Sequence, residues 1–339
     1  MKKKISFLLL GALFVLIMTA CSGKTSAPES GSSAPGTDSG SSEKSEEKLV
    51  LGTSVPSLEF TFFVAAQKSW EAAAEELGVE ALFFNGEDNQ AKQNQDIEDM
   101  VTRGVDALVI IPITTEGVIP AIKYANENGV PVFTVDRSVA EGSGVDVVAH
   151  IGTNHEEMGE SAAKKFLEGL EEMYPDAETW KVAELEGTPG SSAAIERGKG
   201  IHNILEANDR VEIVTSLTGE FSSTVALDVT EDILTANSEL HGIISHNDMM
   251  IEGALQAAKG ADRAGNLVLF GMDGQVSTVE KIIAGEIYGT SLQLPSMLGD
   301  GMKAALKYLN GEDIEDNVWV PTELIDKDNA EEMLETKAW

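Results

Sequence analysis

The chain has 339 residues, of which 57 are Asp or Glu and 24 are Lys or Arg, for a formal net charge of −33 at pH 7. So acidic a surface repels nucleic acid and anionic lipid headgroups and favours solubility, which excludes a nucleic-acid partner and a charge-driven membrane association. With one cysteine in the whole chain there is no disulfide framework, no thiolate metal cluster and no redox pair.

The first segment is an export signal. Lys2, Lys3 and Lys4 form a positive start, an apolar run follows over residues 5–18, and Met18-Thr19-Ala20-Cys21 closes it. The run is too short for a comfortable membrane span. The four closing residues resemble a bacterial lipobox, in which the cysteine is acylated and becomes the new N-terminus; an ordinary signal peptide followed by a coincidental cysteine is the alternative. The expectation is a signal peptide over 1–20 and lipidation at Cys21. Residues 21–47 are Ser, Gly, Pro, Thr and charged residues with almost nothing to bury, so they are expected to be a flexible tether. The protein is then expected to sit outside the cytoplasm, held to the outer face of the cytoplasmic membrane by its N-terminal lipid alone.

From Lys48 onward, short apolar runs alternate with helical patterns. Strands are predicted at 49–55, 79–84, 107–111 and 132–135, with helices at 62–77, 89–103 and 114–128 between them. After a loop at 140–146 the pattern restarts. Strands are predicted at 147–151, 182–185, 211–217, 242–245, 267–270 and 288–292, and helices at 156–172, 191–207, 223–235, 249–259, 277–285 and 296–309. Residues 328–339 are acidic and read as a last surface helix. Continuous apolar strands separated by helices require parallel βαβ units covered on both faces. About 290 residues exceed what one core usually serves, so the fold class is α/β with two doubly wound, Rossmann-like parallel-sheet lobes.

Ligands in such folds bind beyond the carboxyl ends of the strands. The residues there are Glu59, Phe60, Thr61, Phe62 and Phe63 after the first strand, then Asp136-Arg137, His246-Asn247-Asp248, Gly271-Met272-Asp273-Gly274 and Gln293. Carboxylate, amide and guanidinium groups together satisfy hydroxyls, each of which donates once and accepts twice. Aromatic rings cover the C–H faces of a sugar. Asp and Asn after strands also serve as caps and turn residues, which explains any one of them more easily than the set.

Residues 49–325 resemble the ribose- and galactose-type family of periplasmic binding proteins, the sugar receptors of ABC importers. The resemblance is carried by the segment 130–137 ending on Asp136-Arg137, by 186–188 with 193–200, by 246–249, by 270–274 and by Gln293-Leu294-Pro295. Arg197, with Ala193 four residues before it, fits the ribose branch. By that resemblance Asp136 and Arg137 grip ring hydroxyls from the first lobe, Arg197, Asn247 and Asp273 from the second, and Gln293 lies at a crossover. Phe62 and Phe63 sandwich the ring with Phe221, and Met272 stands where an aromatic is common. The family crosses between lobes three times, here near 153–154, 293–294 and 323–324. That gives an N-terminal lobe of 48–153 plus 294–323 and a C-terminal lobe of 154–293 plus 324–339 (the type I arrangement). Binding shifts an open–closed equilibrium by hinge bending. Phe60-Thr61 departs from the usual Asn-Pro before the aromatic pair, with Glu59 as a candidate replacement carboxylate.

The remaining motifs point nowhere else. The five histidines (His150, His155, His202, His241, His246) lack metal-ligand spacing and read as surface or loop residues. No nucleophile elbow is present, and the glycines at 187–190 and 198–200 lack nucleotide-binding spacing. Trp70, Trp180 and Trp319 read as packing. The expected protein is a monomeric receptor that takes a ribose-like pentose or hexose and delivers it to an ABC permease, with no cofactor, no metal and no catalysis. A receptor for another polyol or a signalling furanose feeding a sensor kinase is the alternative within the fold. An exported carbohydrate-acting enzyme is the alternative outside it. Arg197→Ala and Asp273→Ala are expected to abolish binding with little loss of fold.

Overall fold

A strand covered by helices on both faces has no polar side to show, and the apolar runs of this chain form such strands. The computed structural model describes residues 48–339; the signal segment, Cys21 and the tether lie outside the described residues. Strands β1 (Val50–Val55), β2 (Glu80–Asn85), β3 (Ala107–Ile110), β4 (Val132–Val135) and β5 (Ala149–Gly152) alternate with helices α1 (Thr61–Leu77), α2 (Gln90–Thr102) and α3 (Ile119–Glu127). The second run is α4 (His155–Met173), β6 (Trp180–Glu186), α5 (Ser192–Leu205), β7 (Val211–Thr218), α6 (Ser223–Ala236) and β8 (Gly242–Ser245). It continues with α7 (Asp248–Gly260), β9 (Val268–Asp273), α8 (Val276–Ile283) and β10 (Gly289–Leu292). Then come α9 (Met297–Leu309), β11 (Asn317–Trp319), β12 (Leu324–Asp326) and α10 (Ala330–Thr336).

The strands form two six-stranded sheets, ordered β11-β5-β4-β3-β1-β2 and β12-β10-β9-β8-β6-β7. Every neighbouring pair is parallel except β10 with β12. The chain therefore passes between sheets after β5, after β10 and between β11 and β12, and each lobe is completed by a strand from the far end of the sequence. The two-lobed α/β architecture read from the alternation is the one observed.

Local chemistry fixes the helix starts next to the cleft. Asn154, Ser191, Ser222 and Asn247 each accept, through the side-chain oxygen, a backbone N–H of the first turn of α4, α5, α6 and α7. Helices α4 and α5 meet backbone to backbone, since a Cβ on Gly159 would lie 2.4 Å from the Arg197 carbonyl and one on Gly200 2.1 Å from that of Glu156. That close approach sets the height of Arg197 on α5. Among the described residues no helix is long and apolar enough to cross a membrane.

The differences from the sequence reading have local causes. Helix α3 begins at Ile119, not at 114, because Pro120 favours a helix start and residues 115–118 form a turn. At that turn the Thr114 hydroxyl bonds Gln90 and accepts the Gly117 N–H, while the Thr115 N–H reaches the Gly190 carbonyl of the other lobe at 2.9 Å. Strands β11 and β12 are only three residues long, too short to announce themselves as alternating patterns. Trp70 and Trp180 are buried as expected of packing residues, whereas Trp319 is 54% exposed on the edge strand β11. The last helix is not a plain surface helix: Ala330 and Met333 are buried as α10 packs on α8.

Candidate functional site

The carboxyl ends of both sheets face each other across the cleft, and the loops leaving them converge on one cavity. Phe60, Phe62 and Phe63 arrive after β1, Asp136 and Arg137 after β4, Ala193 and Arg197 on α5 after β6, and Phe221 after β7. Asn247 follows β8, Asp273 ends β9 and Gln293 follows β10. These eleven side chains line a small cavity of about 30 Å³ between the closed lobes.

Three of these residues sit in backbone conformations that side chains usually avoid. Asp136 has φ 58°, Phe221 has φ 57° and Asp273 has φ 137°. At Asp136 the Arg137 N–H turns back to the Val135 carbonyl, making a tight three-residue turn that projects the carboxylate into the cleft. Phe221 is held by its carbonyl, which accepts from Asn247 Nδ2 at 3.3 Å, and its ring lies flat on Gly187, where a Cβ would come within 2.0 Å of it. Strain of this kind, about 1–3 kcal/mol per residue, gathers at sites where the surroundings over-determine the geometry.

A continuous polar network joins the lobes. His155, at the first turn of α4, places Nε2 2.9 Å from the Asp136 carbonyl and 3.2 Å from its carboxylate. Arg197 Nε donates to His155 Nδ1 at 3.2 Å. Since arginine only donates, Nδ1 is the acceptor and the network assigns the ring proton to Nε2. Arg197 also donates to the His246 carbonyl and to Gln293 Oε1, and Gln293 Nε2 donates to the Asp136 carboxylate. Ser138 N–H donates to Ser192 Oγ at 2.8 Å across the same gap, so the lobes are closed on each other.

Arg137 is flanked by rings from both lobes, with its guanidinium carbon 5.4 Å from the Phe63 centroid and 5.2 Å from that of Phe221. It donates to the Ile113 carbonyl at 3.1 Å, yet its buried Nε finds no hydrogen-bond partner among the described residues. A buried donor left in this way favours an oxygen-bearing guest beside it.

The two carboxylates differ electrically. Burial pushes both upward. At Asp136 the His155 hydrogen bond and the positive charges of Arg137 and Arg197 outweigh burial and hold the group at about 2, so it is ionised. At Asp273 burial prevails over the attraction of Arg197, whose Nη1 is 3.6 Å away, and nearby Asp248 and Asp136 add to the upward shift. One acid therefore accepts hydrogen bonds and the other is inclined to hold a proton in the closed cleft.

Of the ten ligand-binding positions expected from sequence, nine line this cavity. Met272 does not. Strand β9 runs three residues further than expected, through Asp273, so Met272 still points into the core of the second lobe with Phe166 and Phe270, fully buried. Glu59 is exposed and absent from the lining, so it replaces nothing there. Phe60 lines the cavity instead, edge-on to Phe63 at 6.1 Å. His155 and His246 are buried behind the site and are not surface residues. No local signal in the sequence marked His155, because its partners Asp136 and Arg197 are distant along the chain. Among the described residues no cluster of His, Cys, Asp or Glu is placed to hold a metal ion.

The model of the periplasmic binding protein domain matches residues 51–313. The chain belongs to the periplasmic binding protein family, of the ribose and galactose type. It is 32% identical over 325 residues to the ribose import binding protein of Bacillus subtilis, covering 96% of this chain and 99% of that one. A periplasmic solute binding protein of Actinobacillus succinogenes, solved with bound D-allose, superposes with a TM-score of 0.77 at 26% identity, over 84% of this chain and 100% of the other. The Caulobacter myo-inositol binding protein, solved with myo-inositol, gives 0.77 at 28% identity over 84% and 95%. The relatives it resembles are solute-binding proteins.

Proposed function

We propose that the protein is the extracytoplasmic receptor of an ABC importer, taking one monosaccharide, a ribose-like pentose or a hexose, between its lobes and handing it to the permease. The observation that carries this reading is the convergence, from both lobes, of two carboxylates, two guanidiniums and two carboxamides with four phenylalanine rings in one closed cavity. Such a set grips hydroxyls through charge-assisted hydrogen bonds and covers the apolar ring faces. A guest lacking one hydroxyl leaves a buried polar group unpaired, which supplies specificity.

The nine positions Phe62, Phe63, Asp136, Arg137, Arg197, Phe221, Asn247, Asp273 and Gln293 are the proposed ligand-binding residues, with Phe60 added. Asn247 acts partly from behind, since its Oδ1 caps α7 through the Met250 N–H at 2.9 Å. Capture closes the lobes about the three passages between sheets, the first lobe spanning 48–153 plus 294–323 and the second 154–293 plus 324–339. The receptor works as a monomer without cofactor or catalysis, and a lipid on Cys21 holds it to the membrane.

Thermal denaturation of the full chain against pentoses, hexoses and polyols tests the reading. A ligand at a hundred times its Kd adds about 2.7 kcal/mol, enough to raise the melting temperature by several degrees. At least one monosaccharide is expected to do so; a panel without any shift, confirmed by calorimetry, would overturn the assignment.

A further inference from the structure

Trp339 lies beyond α10, outside the cavity lining, yet it touches the site from two sides. Its indole Nε1–H points at the carbonyls of Asp273 and Gln293, at 3.0 and 2.8 Å, the two residues whose side chains enter the cavity from β9 and after β10. Its backbone is pinned to the same lobe, where its carbonyl accepts the Val276 N–H at 3.0 Å. The ring itself faces the other lobe. Its centroid is 5.5 Å from that of Phe62, at an interplanar angle of 75°. Phe62 in turn stands edge-on to Phe63 at 5.4 Å, and both line the cavity.

We propose that Trp339 is an interlobe latch and a positioning residue: it holds the Asp273 and Gln293 carbonyls in place and, on closure only, backs the Phe62 ring that covers the guest. The proposal rests on the reading of the cleft as a site that opens and closes on a ligand. The physical argument is one of attachment. Both hydrogen bonds of the indole lie within the second lobe and survive opening, whereas the edge contact with Phe62 spans the lobes and is lost when they part. The latch therefore favours the closed form selectively, which is the condition for shifting that equilibrium. An aromatic pair of this geometry changes the closed-to-open ratio by roughly three- to tenfold.

The test uses the full chain with Cys21→Ser and spin labels on cysteines introduced at Lys123 on α3 and Asp228 on α6, both exposed and on different lobes. Interlobe distances are measured by pulsed electron resonance without sugar and with saturating D-ribose. Trp339→Ala is expected to lower the closed-to-open ratio by roughly three- to tenfold in at least one condition, and Trp339→Phe to restore part of it by keeping a ring against Phe62. Native emission gives a second readout, since Trp339→Phe should remove the fluorescence change that accompanies closure. A closed population unchanged by Trp339→Ala in both conditions overturns the latch, as does a parent chain that stays open throughout, because the contact then never forms. A parent chain that closes without any response to D-ribose or to the other sugars leaves the latch decided by the sugar-free arm and contradicts the monosaccharide reading instead.

Discussion

Arg197→Ala separates a binding group from a scaffold group. Arg197 is 3% exposed and donates to His155, the His246 carbonyl and Gln293, with Asp273 beside it at 3.6 Å. Its expected place beyond a strand end and the family resemblance suggested that its loss would cost little of the fold; its burial argues otherwise. Removing one partner of a buried ion pair costs about 3–5 kcal/mol, because the other charge is stranded. Asp273 escapes part of that penalty by taking up a proton, a change to which burial already inclines it. The expected loss is therefore about 3 kcal/mol, or roughly 6–12 °C in melting temperature at about 2–4 °C per kcal/mol for a domain of this size. Arg197→Lys keeps the charge but not the fork and should fall between. The assays are thermal denaturation without sugar and calorimetric titration with D-ribose. Arg197→Ala should lose affinity by more than about a hundredfold, as expected for two charged hydrogen bonds of about 1.5–3 kcal/mol each. A variant with both the parent melting temperature and the parent affinity would refute the reasoning.

Three further outcomes follow from the same geometry. Asp248 is fully buried and accepts from the Gly274 and Gln275 N–H groups and from Thr290, and burial raises it to about 7. A raised acid stabilises the fold below its unfolded value and loses that contribution as pH climbs through the folded one. Asp248→Asn should thus gain on the parent between pH 4 and 7 by up to about 1.4 kcal/mol per pH unit, read from chemical denaturation; a pH-independent difference contradicts the burial argument. Phe60→Ala removes an apolar wall of the cavity and should weaken sugar binding by roughly ten- to a hundredfold, about the 1.5–3 kcal/mol of a buried ring, with calorimetry as the check. Cys21→Ser should move the protein from the membrane fraction to the soluble fraction and abolish incorporation of labelled palmitate; continued membrane retention would speak against the lipid anchor.

The strands that hold the site were legible in the sequence because β1, β3 and β4 are buried on both faces and so carry runs of apolar and small uncharged residues. Asp136 and Gln293 were legible for a related reason: a polar residue directly after such a run has nowhere to point but the cleft. Met272 failed that rule because β9 continues past Phe270, and its alternation returns Met272 to the core while Asp273 reaches the opening. Phe60 was passed over because it stands where the resemblance expects an amide, and only the fold shows that its ring walls the cavity. His155 and Trp339 were invisible for a deeper reason. Both act through contacts with residues distant in sequence, Asp136 and Arg197 for the first, Phe62, Asp273 and Gln293 for the second. No local pattern encodes such a meeting.

A crystal structure of the protein grown with the sugar that most raises its melting temperature tests the central claim most directly. The account predicts one ring between Phe62, Phe63 and Phe221, with its hydroxyls on Asp136, Arg137, Arg197 and Asp273 and one oxygen within hydrogen-bond reach of Arg137 Nε. A sugar bound outside that cavity, or a cavity left without sugar at saturating concentration, would contradict it.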